Sequence, residues 1–238
     1  VFKEILVPVR ERQTIQESVY RQLRQTLMNG MYDPTQRLTI PSLAASFGTS
    51  HMPVREALRR LTAENALEQA ANGSVFVPTV SRDKLDDLCR ARIALEGLAT
   101  ELAVPHITAS HLQQLEALRL AHEQAGVENG IYVSLARNQE FHFMIYRLSG
   151  SDLLPQMIEA LWLRFGPYMR MLSHHLAPLL GTPEFRNGAE NHHAAMAAFA
   201  AGDAAAARRA IETDITATQA LLRPLIAAAA VPLWTAPD

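Results

Sequence analysis

The stretch that most constrains this chain is residues 49–61, TSHMPVREALRRL. Val54, Ala57, Leu58 and Leu61 recur at helical spacing and make one apolar face. His51, Arg55 and Arg59 fall four residues apart on the opposite face, so they point together into solvent. Ser50 suits an N-cap, and Pro53 sits in the first turn, where its missing N–H breaks no helical bond. A short helix with an apolar back, a cationic front and a polar start fits a DNA major groove, with Arg on phosphates and the first turn on base edges. An ordinary surface helix with a solvated charged face shows the same pattern, so the flanking segments decide.

Upstream, T-I-Q-E at 14–17 is a capping box, followed by an Ile15, Val19, Leu23, Leu27 stripe that Asn29-Gly30 ends. Turn chemistry surrounds Pro34, with Arg37 exposed beside it. Residues 42–47 read as a very short helix beginning at Ser42, with Leu43 and Phe47 inward and Gly48 closing it. Helix, short helix, tight turn, cationic helix is the punctuation of a helix-turn-helix. Downstream, two short extended runs at 67–70 and 74–77 flank Asn72-Gly73, a strong hairpin signal. A hairpin behind a reading helix is a wing, and its tip can lie on the minor groove or backbone.

With 238 residues, 48% of them hydrophobic, the chain can bury two cores without covalent staples. One cysteine, Cys89, excludes an internal disulfide framework and a Cys-based metal cluster, and agrees with a reducing cytoplasm. No signal-peptide pattern is visible, and the chain begins at Val1 rather than Met, so a few preceding residues are expected. The longest apolar run, 225–233, is too short for a bilayer and contains Pro232, so no membrane partner is expected. Residues 1–79 carry nine Lys/Arg against seven Asp/Glu, net +2; the remainder carries thirteen against seventeen, net −4. The basic bias is mild, but the cations cluster where a reading helix needs them.

Two domains are expected, at 1–79 and 80–238, joined by a short linker over 78–81. From Ser81 onward the pattern is amphipathic helix throughout, near 83–104, 108–126, 131–150, 151–175, 183–201 and 203–229, with a bend at Gly166-Pro167. Short turns between such helices, including Asn129-Gly130, make an antiparallel bundle. The fold class is therefore mainly α: an N-terminal winged helix-turn-helix followed by an antiparallel all-helical bundle.

Four polar residues and one cation interrupt the bundle's apolar stripes. The first bundle helix has an inward stripe of Leu85, Leu88, Arg92, Leu95, Ala99 and Leu102. A guanidinium there needs an anion. Either Glu96, one turn on, supplies it, or Arg92 faces a cavity and takes a carboxylate ligand. Asn138 and His142 share the stripe of Leu135 and Ile145; His193 shares a face with Met196 and Ala197, leaving His192 to solvent; Asp214 falls among Ala207, Ala210, Ile211 and Leu221. Two imidazoles, a carboxylate and an amide oxygen on three helices can hold a divalent ion such as Zn, Ni or Mn.

The run R-L-x-x-x-x-L-A-x-x-F-G-x-S-x-x-P-V-R-E-A-L-R-R-L, from Arg37 to Leu61, closely resembles the winged helix of GntR-type bacterial transcription regulators. The resemblance implies dimeric binding to a short palindrome in double-stranded DNA. Ser50, His51, Met52 and Arg55 would touch that operator, with the Asn72-Gly73 tip; Arg37, Ser42 and Arg59 complete the expected DNA surface. His51 stands where the family often has Arg, and Thr35 where it often has Gly, so no operator sequence carries over. The second half resembles the FCD-type effector domain of the FadR branch, in R-I-A-L-E-G-L-A (92–99), N-Q-E-F-H (138–142) and H-A-A-M-A-A-F-A-A-G-D (193–203). Metal-binding members of that branch carry Asp/His/His/His. On this chain those positions become Asn138, His142, His193 and Asp214.

The leading expectation is a transcription regulator, repressor or activator, that forms a homodimer and holds a small carboxylate effector between Arg92 and the metal. The alternative is a helical metalloenzyme with an ancillary basic domain. It lacks a base near the ion, because Glu140 lies two residues from both Asn138 and His142 and points elsewhere. A purely structural dimer would need Arg92 and His142 to pair internally.

Overall fold

The computed structural model describes residues 14–128, 130–179 and 189–229. The end of the apolar run, 230–233, together with Asn129 and the expected helix start at 183–188, lies outside the described residues. The first helix, α1 (Ile15–Met28), starts at Thr14, whose side chain accepts from Glu17 N at 3.2 Å, and buries Val19, Tyr20, Leu23, Leu27 and Met28. After it come β1 (Arg37–Leu38), α2 (Ile40–Phe47) and α3 (His51–Ala63). Helix α2 begins two residues before the expected Ser42. Thr39 is the better cap, its hydroxyl accepting from Ser42 N, and Pro41 occupies the first turn. Gly48 closes α2 in the left-handed conformation, φ +61°, freeing the chain to turn into α3.

The wing strands are β2 (Glu68–Gln69) and β3 (Val75–Phe76), antiparallel and in register Glu68↔Phe76 and Gln69↔Val75. A third strand was not legible: β1 pairs with β3 in register Arg37↔Phe76, giving the order β1-β3-β2. Two residues with one inward leucine carry too little alternation to announce a strand. At the tip Gly73 has φ +82°, and Asn72 Oδ1 accepts from Ser74 N at 3.0 Å.

The remainder of the described chain is helical. It runs α4 (Arg82–Ala103), α5 (Ala109–Glu128), α6 (Ile131–Arg147), α7 (Leu153–Leu176), α8 (Ala189–Ala201) and α9 (Ala204–Ala229). Helix α4 packs on α9 and α7, α5 on α6 and α8, and α8 on α9. Helix α7 continues through Pro167 without ending. The buried face of α4 differs from the expected stripe. Leu85, Cys89, Arg92, Glu96, Ala99 and Ala103 point in, while Leu102 is 41% exposed. Glu96 displaces Leu95 as the inward residue because three donors surround it, which satisfies a carboxylate that would otherwise be expensive to bury.

Helix α7 also joins the two halves. At Gly166 a Cβ would overlap the carbonyl oxygen of Leu27, so only glycine lets α7 lie this close to α1. Arg24 reaches Glu159 at 2.5 Å and Arg170 reaches Asp33 at 2.6 Å across the same junction.

Candidate nucleic-acid surface and bundle cavity

The exposed front of α3 carries His51, Met52, Arg55 and Arg59, and Met52 is 68% exposed, unusual for a large apolar side chain. Ser50 occupies the N-cap position, exposed and without a side-chain capping bond. Arg59 is held by the Glu56 carboxylate through both Nε and Nη2. Arg37, Thr39, Arg55, Arg59, Gln69, Asn72 and Gly73 line one cleft between α3 and the wing. Of the expected DNA surface, Arg37, Arg55, Arg59, Asn72 and Gly73 line this cleft, while Ser50, His51 and Met52 lie outside it at the exposed start of α3. Ser42 stands apart from the cleft, exposed in the first turn of α2.

The bundle encloses a cavity of about 430 Å³. Helices α4, α5, α6, α7, α8 and α9 all contribute. Apolar walls come from Leu135, Trp162, Phe165, Met169 and Leu172; polar groups come from Arg92, His122, Ser134, Asn138, His142, Asn191 and Asp214. Mostly apolar walls with a few convergent polar groups are the usual form of a small-molecule site.

Two of these lining residues, His142 and Asp214, converge with the buried His192. His142 Nε2 lies 3.2 Å from His192 Nε2 and 3.4 Å from Asp214 Oδ2. Asp214 is steadied by Asn191 Nδ2, 3.3 Å from Oδ1. Among the described residues, His192 Nδ1 is buried without a hydrogen-bond partner. Burial and the adjacent His142 push the His192 pKa down to about 3, so the ring is neutral and offers a lone pair. Burial acts to raise Asp214, but its interactions with His142, then with His192 and the Asn191 amide, overcome it and hold the carboxyl at about 2.

This geometry corrects one expectation. His192, read as the solvent member of its pair, is fully buried, and His193 points out with a 58% exposed side chain, 3.1 Å from Glu123 Oε1. The inward face of α8 is His192, Ala195, Ala198 and Phe199, not the Met196–Ala197 side. Counting back from Phe199 by seven would have found it. Asn138 and Asp214 line the cavity as expected, and Glu140 points away, paired with Arg137 at 2.6 Å.

Arg92 realises its internal alternative while still lining the cavity. Its Nε donates to Glu96 Oε1 at 2.6 Å, and its guanidinium lies 4.7 Å from the Trp162 ring centre and 4.5 Å from that of Phe165. Burial alone would lower its pKa; the Glu96 charge and hydrogen bond raise it instead, so the cation is fixed. Burial and Glu96 likewise drive the Tyr146 phenol well above its ordinary range. His122 escaped the sequence reading. It is 2% exposed, its Nδ1 2.8 Å from Ser134 O, and its spacing from Leu115 and Arg119 on α5 was the available signal.

Residues 15–77 match the bacterial regulatory proteins of the gntR family, and residues 87–217 match the FCD domain. The chain belongs to the GntR family of transcription regulators and carries an FCD effector domain. It is 36% identical over 185 residues to the HTH-type transcriptional regulator McbR of Escherichia coli K12, covering 78% of this chain and 82% of McbR. It is 31% identical over 159 residues to the Nta operon transcriptional regulator of Aminobacter aminovorans, covering 63% and 75%. The solved structure of E. coli McbR/YncC superposes with a TM-score of 0.82 at 33% identity, covering 89% of this chain and 98% of that one. GntR membership makes the chain a DNA-binding regulator and not an enzyme. No described helix is long and apolar enough to cross a membrane.

Proposed function

We propose that this regulator binds a palindromic operator as a homodimer, and that a small carboxylate in a metal-containing FCD cavity modulates that binding. The convergence of His142, His192 and Asp214 carries the reading. Ligand atoms 3.2 and 3.4 Å apart match the spacing of about 3.3 Å between donors on a tetrahedral ion with bonds near 2.0–2.1 Å. Two imidazole nitrogens and a carboxylate converging on one point are a donor set that a divalent ion can share. His142 Nε2, His192 Nε2 and Asp214 Oδ2 would hold a Zn, Ni or Mn ion, with the Asn138 amide oxygen one turn before His142 as a further donor. A divalent ion there would supply Lewis acidity toward a ligand carboxylate.

The protein's own groups then select that ligand. Trp162 and Phe165 exclude water from its apolar part, and the Arg92 N–H groups not spent on Glu96 offer it a second cationic contact. On the DNA side, Ser50, His51, Met52 and Arg55 address base edges and phosphates; Arg37, Arg59, Asn72 and Gly73 frame the adjoining backbone. Leu98 and Leu102, exposed one turn apart on α4, offer a second copy an apolar contact. Metal analysis of protein purified without chelator tests the cavity. Near-stoichiometric metal, lost in His142→Ala, supports the reading. Metal-free wild type whose stability His142→Ala leaves unchanged would remove the ion from it, leaving the DNA-binding regulator intact.

A further inference from the structure

We infer that Tyr146 is a positioning residue whose hydroxyl, locked between Glu96 and His142, sets the His142 tautomer and presents its Nε2 lone pair to the cavity. The inference rests on the reading of His142 as a ligand and concerns groups that do not reach the cavity ion site themselves.

Proton counting carries it. Glu96 is fully buried, and its carboxylate accepts from Arg92 Nε at 2.6 Å and Trp162 Nε1 at 3.0 Å on Oε1, and from the Tyr146 hydroxyl at 2.5 Å on Oε2. Tyr146 is also fully buried and has one proton to give. Given to Glu96, that proton leaves the phenol oxygen as an acceptor, and its remaining neighbour is His142 Nδ1 at 3.0 Å. His142 Nδ1 must therefore carry hydrogen. A neutral imidazole has one N–H, so Nε2 is the bare nitrogen, and Nε2 is the atom beside His192 Nε2 and Asp214 Oδ2. The chain Arg92–Glu96–Tyr146–His142 spans α4 and α6, so the anion on one helix dictates which nitrogen on the other faces the cavity. An imidazole whose far nitrogen donates to an anchored acceptor is fixed in orientation and made a better donor to metal.

The chain has a directional consequence. In Glu96→Gln the amide oxygen must stay on the side of Arg92 Nε and Trp162 Nε1, which turns the NH₂ toward Tyr146. The phenol then accepts from the amide and donates to His142 Nδ1, driving the imidazole hydrogen to Nε2 and blocking it.

The test is ¹⁵N NMR of labelled imidazoles in the metal-free full-length protein at about pH 8.5, above the ordinary histidine range, with calorimetric Zn²⁺ titration of the same samples. Wild type should show His142 as the single Nδ1–H tautomer. Tyr146→Phe keeps Glu96 bonded to Arg92 and Trp162, and should lose that single tautomer and weaken Zn²⁺ binding about 10- to 100-fold. Glu96→Gln, where it folds, should show the Nε2–H tautomer. Wild-type His142 with hydrogen on Nε2, or a Tyr146→Phe protein with unchanged tautomer and unchanged Zn²⁺ affinity, would overturn the inference. A wild type that binds no Zn²⁺ but whose tautomer depends on Tyr146 would uphold the inference and defeat the metal reading alone.

Discussion

Two adjacent histidines on α8 have opposite fates, and the difference is one step of about 100° around a helix. His192 lands on the inward side with Ala195 and Phe199, and His193 lands beside Glu123 and Arg119. Metal titration should therefore separate them: His192→Ala should abolish binding, whereas His193→Ala should keep affinity within a few-fold. Equal loss in both would place the site elsewhere. His192 also gives stability a pH dependence. The unfolded ring takes a proton near 6.5, but the folded ring resists until about 3. Below about pH 6.5 the unfolded chain thus binds more protons, and metal-free protein should lose about 1.4 kcal/mol by about pH 5.5 from this residue. Asp214 acts in the same direction only lower, between 3.8 and about 2. Urea unfolding with chelator present, comparing wild type with His192→Leu, should show the slope shrink by about one proton in the variant. Residue types and spacing nominated His142, Asn138 and Asp214 in advance. The His192/His193 choice failed because α8 is alanine on nearly every side, so apolar periodicity could not mark its inward face.

Elements are held at distances that single atoms set. Gly166 and Gly97 are both helical glycines, yet they meet different neighbours. At Gly166 an added Cβ runs into the backbone carbonyl of Leu27, which cannot yield without moving α1. At Gly97 it meets Glu212 Oε1 at 2.8 Å and Glu212 Cγ at 3.2 Å, a side chain that can swing aside. Gly166→Ala should destabilise by about 1–3 kcal/mol. Gly97→Ala should stay within about 1 kcal/mol of wild type, because helix propensity gained by alanine offsets the displaced Glu212. Denaturant midpoints decide it, and a Gly166→Ala protein as stable as wild type would mean that α1 and α7 are not docked this way in solution. The start of α1 and the end of α2 were legible because Thr14 and Gly48 are chemically specific caps. The strand β1 and the Glu96 face of α4 were not, since both depend on partners distant in sequence.

Across the whole molecule, α7 is the shared wall. Trp162, Phe165 and Met169 face the cavity, while Gly166 and Arg170 meet α1 and Asp33. A ligand that moves this helix acts directly on the seat of the DNA-binding half. That half should bind DNA with strong salt dependence, and Arg55→Ala should flatten the slope of log affinity against log salt by about 0.9 for each phosphate that Arg55 neutralises. An unchanged slope would place Arg55 off the backbone. Local sequence was enough to determine the helix-turn-helix, the wing turn at Asn72-Gly73 and the succession of bundle helices, because capping, turn chemistry and apolar periodicity act over a few residues. Tertiary structure alone decided that Arg92 is neutralised by Glu96, that Tyr146 bridges Glu96 to His142, and that His192 rather than His193 faces Asp214. Those outcomes turn on the rotation of α4, α6, α8 and α9 about their own axes. Rotation is settled by which buried polar atoms find partners across the bundle, and no short stretch of sequence contains both members of such a pair.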